Sequence, residues 1–347
     1  MRTWRKHVLG MTGLLAAAAL ALTGCADSQE KRIVRIGHNQ STNHPSHIGL
    51  TAFQEFINAE LGDKYVVEVY PSELLGSQTD MVQLTQTGAI DFCIASNSIL
   101  ETFSENYGIF NLPYLFSSQE AYHASMDDEA LTEMIFGSTK DAGFTTVTWL
   151  DAGTRNFYTI NKPIHSPSDL KGLKIRVQQS PTNIEMMRLL GGSATPMSFG
   201  EVYTSLQSGI IDGAENNELA LRDNGHGDIC KYYSYDMHQM IPDLLIGNNA
   251  FLEDLTEKER EIFEEGFDIL NETQREAWVD GVEDSIHNAI NNQGVEFIYP
   301  DTKPFQDAVL PLHESVLSGL PAIQPVYDMI QEYNAQYAAT DAEQGET

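Results

Sequence analysis

The chain has 347 residues, of which 50 are acidic and 20 basic, for a formal net charge of −30. Phosphate affinity comes from neutralising basic side chains, so this balance excludes a nucleic-acid binder; it also disfavours docking on anionic lipid through surface charge. A hydrophobic content of 41% with 9% aromatics fits a folded chain, and its length exceeds what one core usually supports, so two domains are expected.

Residues 1–24 read as an export address. Arg2, Arg5 and Lys6 make a basic start without any acidic residue, and Val8 to Leu22 is an apolar run. That run is shorter than the roughly 20 residues a spanning helix needs and suits the core of a signal peptide. The sequence Leu22-Thr23-Gly24-Cys25 resembles the bacterial lipoprotein box. It implies a lipoprotein signal peptide over 1–24, lipidation at Cys25 and a polar tether over 25–31. Lipid on Cys25 would anchor the protein to the membrane, on the cell surface or in the periplasm. Cys93 and Cys230 are the other two cysteines. They are too few for a disulfide scaffold, and Cys93, inside an apolar run, reads as a small buried hydrophobe.

In chain order, 32–37 reads as a strand, 46–61 as an amphipathic helix and 65–70 as a strand ended by Pro71. A helix over 79–87 stops at Gly88, and 90–95 is a further strand. This alternation predicts a mostly parallel sheet with covering helices. The pattern restarts with strands at 156–160 and 173–177, helices at 181–190 and 200–208, and a strand at 210–214. Leu84 to Asp91 echoes Leu206 to Asp212, each a helix end, a glycine and a short apolar stretch, which suggests two similarly built lobes. Residues 256–293 carry apolar residues at helical spacing without proline, as one long helix or two in series. Helical segments follow over 303–337, and 338–347 is a polar tail expected to lack structure.

No phosphate loop, dinucleotide fingerprint, zinc-protease motif or nucleophile elbow is present. His38, His44 and His47 fall within ten residues, which allows a metal-binding uptake lipoprotein as an alternative; placed in a polar loop at a helix start, His38, Asn39 and His44 better suit a small ligand as donors. A secreted hydrolase would need converging carboxylates, and arginine and asparagine stand at the expected cleft instead. Arg176 ends a strand, Arg155 opens the second unit, and Asn216 follows another strand. Ligands of open α/β sheets bind at such carboxyl ends. A guanidinium presents a planar fork to a carboxylate, although either arginine taken alone is as readily an internal ion pair. Ser96 and Asn97 hold the equivalent place in the first unit. Phe199 is either core or a ring offered to a ligand.

Asp169 to Val177 and Phe199 to Asn216, supported by Leu112 to Phe116, resemble the dicarboxylate-binding (DctP-like) branch of the extracytoplasmic solute-binding proteins of TRAP (tripartite ATP-independent periplasmic) transporters. The resemblance covers residues 32–335. It implies a two-lobed α/β fold of periplasmic-binding-protein type, with mixed sheets, crossing strands and a long hinge-spanning helix. Lobe I would comprise 32–152 and 242–281, and lobe II 153–241 and 282–337. It further implies no catalysis and no cofactor. An organic acid, a uronate or other acidic sugar or a C4-dicarboxylate, would be held by Arg176 and Asn216 with Arg155 and Phe199, and handed to the TRAP membrane permease subunits. Asn39, His44, Ser96, Asn97 and Gln179 would choose the substrate, and His238 would be a structural or hinge residue.

Overall fold

The computed structural model describes residues 31–344. The expected signal peptide, Cys25 and the expected tether up to residue 30 lie outside the described residues, as do residues 345–347. No described helix is long and apolar enough to cross a membrane.

The first sheet contains β1 (Arg32–Gly37), β2 (Tyr65–Tyr70), β3 (Phe92–Ser96), β4 (Phe144–Leu150) and β10 (Asp243–Asn248), in the order β2-β1-β3-β10-β4. Helices α1 (Pro45–Glu60) and α2 (Gln78–Thr87) return the chain between the parallel strands β1, β2 and β3. Every residue of β3 is buried, as expected of a strand covered on both faces. The sheet is mixed rather than mostly parallel, because β10 inserts antiparallel between β3 and β4. β10 arrives from the other lobe, so no local crossover helix dictates its direction.

The second sheet contains β5 (Arg155–Thr159), β6 (Lys174–Val177), β7 (Ser193–Pro196), β8 (Gly213–Asn216), β9 (Tyr232–Gln239) and β11 (Glu296–Ile298), in the order β11-β9-β5-β8-β6-β7. Helix α3 (Pro181–Leu189) joins β6 to β7, and α4 (Val202–Gln207) precedes β8. The apolar pair Ile210-Ile211 suggests a strand over 210–214, but the strand starts at Gly213; Ile210 is exposed in the preceding turn. Asn216 is therefore the last residue of β8, not the residue after a strand.

The internal echo has a structural basis. Gly88 (φ 73°) ends α2 and Gly209 (φ 70°) follows α4, both in the left-handed conformation glycine adopts at little cost. Beyond them, Asp91 accepts from the Arg35 backbone N–H and Asp212 from that of Lys174, each at 2.8 Å. Each aspartate ties its strand to the parallel neighbour in its own lobe.

The chain crosses between lobes after β4 and again after β9. Helix α5 (Glu257–Asn288) spans both lobes as one element. Thr256 and Glu259 cap its start reciprocally. Phe263, Phe267 and Leu270 pack on Phe53 and Ile57 of α1, and further along Trp278 and Val282 pack on Ala152 and Leu219. Between these stretches Gln274, fully buried, accepts from the Asp151 N–H (3.2 Å) and donates to its carbonyl (2.7 Å), which pins the first crossover.

Helix α6 (Lys303–Gly319) packs on α3 of lobe II. Helix α7 (Gln324–Gln344) lies instead on Gln119–Met126 of lobe I, where Asn334 bonds the Leu115 carbonyl and the Ser117 N–H, each at 2.9 Å. Residues 324–337 thus belong with lobe I, against the sequence-based division, and α7 continues into the stretch 338–347 expected to lack structure. One apolar cluster runs through both lobes, from Met81, Cys93 and Ile246 through Tyr107, Phe110 and Leu112 to Phe157, Ile175 and Met186. Cys93 and Cys230 are free and buried, and burial pushes both thiols up to about 12.

Candidate ligand-binding site

The strand directions bring the polar residues together. β6 and β8 are parallel, so Arg176 and Asn216 lie toward the same end of the sheet. β5 runs antiparallel to β8, which places its first residue, Arg155, beside Asn216. Together they form one wall of a cavity between the lobes, with Gln178, Phe199 and Asn217; lobe I supplies Asn39, Gln40, Gln78 and Asp243. Its non-atom space, partly continuous with solvent, is about 510 Å³.

The two arginines differ. Arg155 donates from Nε to Glu215 Oε2 at 2.5 Å, from one terminal nitrogen to Asn216 Oδ1 at 3.0 Å and from the other to the Glu215 carbonyl at 2.9 Å. Glu215 is fully buried. Burial alone would raise its pKa, but Arg155 and His238 hold it down at about 2. His238 bonds Asp236 through Nδ1 at 2.8 Å and stacks on Phe157. Burial disfavours its charge, yet Asp236 and Glu215 raise it to about 9. Arg155, Glu215, His238 and Asp236 form a buried set of two cations and two anions. This agrees with a structural part for His238.

Arg176 is 3% exposed, and its guanidinium donates only to the Met197 carbonyl, from Nε at 3.2 Å and from one terminal nitrogen at 2.9 Å. It forms no ion pair among the described residues. Burial lowers its pKa, while Glu215 opposes the shift. The Phe199 ring centre lies 5.7 Å from the guanidinium carbon. Asn216 Oδ1 accepts from Arg155 and from the Asn217 N–H, and its amide N–H groups make no hydrogen bond among the described residues. The side-chain oxygens of Asn39 and Gln178 are also buried without a partner. Acceptors hidden from water without partners are costly; those of Asn39 and Gln178 line this cavity, while others, such as Asn97 Oδ1 and the Tyr122 hydroxyl, lie elsewhere. At its rim the half-buried Glu73 of lobe I meets Gly200 of lobe II so closely that a Cβ there would fall 2.3 Å from Glu73 Oε2.

Of the residues expected here, Arg176, Arg155, Asn216, Phe199, Asn39 and Gln179 line the cavity. Gln179 is exposed on the rim, where its side chain accepts from Thr79 at 3.5 Å. Ser96, Asn97 and His44 stand elsewhere. The Ser96 N–H donates to Gln78. Asn97 donates to the Tyr107 carbonyl and to Asn111, both at 2.8 Å, inside a seam between the lobes. His44 caps α1 by accepting from the Ser46 N–H at 3.2 Å and meets the edge of Trp278. Ser96 and Asn97 do stand at a strand end, but the bonds of the Asn97 amide to Tyr107 and Asn111 turn it into the seam, and His44 is held at the helix start.

The histidine cluster is likewise spent on local bonds. His38 Nδ1 accepts from the Gln40 N–H, so its Nε2 carries the proton and donates to His47 Nδ1 at 2.9 Å. Burial holds His38 and His44 at about 3. No group of three His, Cys, Asp or Glu side chains among the described residues could hold a metal ion. The metal reading has no support here.

Gln178 and Asp243 were not expected. Strand periodicity could have found Gln178, because residues two apart share a face and Gln178, unlike Gln179, follows Arg176 by two. Asp243 heads β10 after Pro242, a crossover position that sequence pattern alone does not place.

The family of bacterial extracellular solute-binding proteins, family 7, matches residues 36–319. A TRAP periplasmic solute-binding protein of Anaerococcus prevotii, solved with bound α/β-D-glucuronate, is 64% identical; the match covers 88% of this chain and 99% of that one, with a TM-score of 0.88. One from Xanthobacter autotrophicus, solved with β-D-galacturonate, is 32% identical over 87% of this chain and 99% of the other, with a TM-score of 0.82. The uncharacterized protein YiiZ of Salmonella typhimurium is 40% identical over 91% of this chain and 96% of its own length. The chain belongs to family 7 of the bacterial extracellular solute-binding proteins. It is an extracytoplasmic solute-binding protein of the TRAP type, a transport component and not an enzyme.

Proposed function

We propose that the protein captures a uronate by its carboxylate and delivers it to the membrane subunits of a TRAP transporter. The carrying observation is Arg176, a buried guanidinium inside the interlobe cavity whose only hydrogen-bond acceptor among the described residues is a backbone carbonyl. A carboxylate there gains a charge-assisted fork, with the Asn216 amide and the unspent hydrogens of Arg155 beside it. Phe199 offers a flat apolar surface to a sugar ring. The amide-rich lining suits hydroxyl groups, and the similar solved proteins above hold uronates. Closure over the ligand is favoured only as far as the ligand prefers the closed form. Lipid on Cys25 would keep the protein beside its permease, and a Cys25→Ser form should then leave the membrane fraction.

Calorimetry with D-glucuronate and D-galacturonate tests this reading. Arg176→Ala should weaken uronate binding by at least ~100-fold, the order expected when one partner of a buried charge pair is removed, while thermal unfolding of the free protein stays nearly unchanged. Undiminished affinity in that variant would sink the proposal.

A further inference from the structure

Each crossover delivers one charged residue to the cavity at the head of the next strand: Arg155 at the start of β5 and Asp243 at the start of β10. Arg155 is matched by Glu215, and His238 stands between Glu215 and Asp236. With that set balanced, Arg176, which forms no ion pair among the described residues, is open to a substrate carboxylate. Asp243 presents the converse case. Only 7% exposed, it forms no ion pair and no side-chain hydrogen bond among the described residues. Across the sheet it stands opposite Ser96 of β3 and Leu150 of β4. The ionisable groups that sense it are Arg155 and the buried Tyr122, on the helix Gln119–Met126.

Resting on the uronate reading above, we infer that Asp243 sets the substrate class: its carboxylate takes hydroxyl hydrogens from a polyhydroxylated monoacid and repels a second carboxylate. An ionised carboxylate only accepts hydrogen bonds, so a sugar hydroxyl satisfies it. A diacid that seats one end on Arg176 would bring its other end into a cavity wall that already holds a buried negative charge. Like charges at such short range and low dielectric oppose each other strongly. The site thus accepts one acid group and rejects two.

The test compares D-glucuronate with D-glucarate and L-malate by calorimetry. Asp243→Asn keeps the shape and one oxygen acceptor and removes the charge. It should weaken D-glucuronate binding about tenfold, the order for a hydrogen bond to a charged group, and strengthen binding of the two diacids by at least ~10-fold. Asp243→Ala carries the same expectation for the diacids, should the asparagine form fold poorly. If the ratio of glucuronate to diacid affinity stays constant in both variants, this role of Asp243 is wrong. Arg176→Ala separates the two claims. Loss of all binding there with a constant ratio in the Asp243 variants sinks only the present inference; full binding there sinks the uronate reading itself.

Discussion

The lobes meet at two polar surfaces that use similar residues in opposite ways. At the seam that Asn97 enters, Glu101 of lobe I accepts from Asn111 at 2.8 Å, Ser180 at 2.5 Å and Thr182 at 2.6 Å. Asn183 donates to Ser98 and accepts from Gln239, at 3.2 and 2.9 Å. Ser180 and Thr182 stand at the start of α3, where the aligned peptide dipoles favour a carboxylate. At the cavity, by contrast, and among the described residues, Arg176 lacks a carboxylate, the Asn39 and Gln178 oxygens lack donors, and the Asp243 side chain lacks a hydrogen bond or ion pair. Chemical type does not separate a binding surface from a structural one. The difference lies in the charged groups: at the seam the protein completes the bonds of Glu101, although the Asn97 and Gln239 oxygens stay without donors, whereas Arg176 and Asp243 at the cavity form no ion pair among the described residues.

Arg155 lies between the two cases, and its removal should produce the largest effect. Arg155→Ala leaves the buried carboxylates of Glu215 and Asp236 to share one cation, His238, a loss of about 4 kcal/mol in stability. Urea unfolding should show this in the free protein, and uronate affinity should fall as well. Arg176→Ala lowers affinity alone. If Arg155→Ala also leaves stability untouched, the internal pairing of Arg155 counts for nothing and the two arginines are equivalent. Next comes Glu101→Ala, which leaves three donors of the seam without their acceptor. The expected loss is about 3 kcal/mol in the same unfolding assay, with uronate affinity changed by less than about tenfold. A larger change in affinity than in stability would make the seam part of ligand closure and erase the contrast.

Much of the frame was legible in the residues. The strand, helix and strand over 32–70, the glycine stops and the long helix follow from periodicity and turn chemistry, which act locally. So does the placing of Arg176, since a strand end in an α/β lobe is a known address for ligands. What stayed hidden depends on contacts far apart in sequence. Asn97 and Asn39 both follow strands of the same sheet; Asn111, distant in the chain, draws the first into the seam, and nothing draws the second. Gln178 and Gln179 differ only in the face each shares with Arg176. β10 and α7 join lobe I because of where the crossovers and Asn334 bring them, and no local propensity encodes that.

The smallest expected effect comes from pH and sharpens the contrast at Asp243, whose buried side chain forms no hydrogen bond or ion pair among the described residues. Burial raises its pKa to about 6, with Arg155 opposing the shift. A carboxylate whose folded pKa lies above its unfolded value takes up a proton more readily in the fold. Its charge therefore costs stability above pH 6, and that cost disappears as the pH falls through 6 toward the unfolded value near 4. A sugar hydroxyl donated to the ionised group pulls the other way and lowers the pKa in the complex. Uronate binding should then expel this proton at pH 5 and weaken about tenfold there relative to pH 7.5, the size that one pH unit below the free-protein pKa allows. Arg155 and Tyr122, the groups facing Asp243, do not titrate in this window: Arg155 is held charged by Glu215, and burial keeps the Tyr122 phenol protonated. Calorimetry in two buffers of different ionisation enthalpy would count the released proton directly. Asp243→Asn should bind equally at both pH values; a tenfold loss that persists in this variant would have to come from another group, and Asp243 would not be the open acceptor of the cavity.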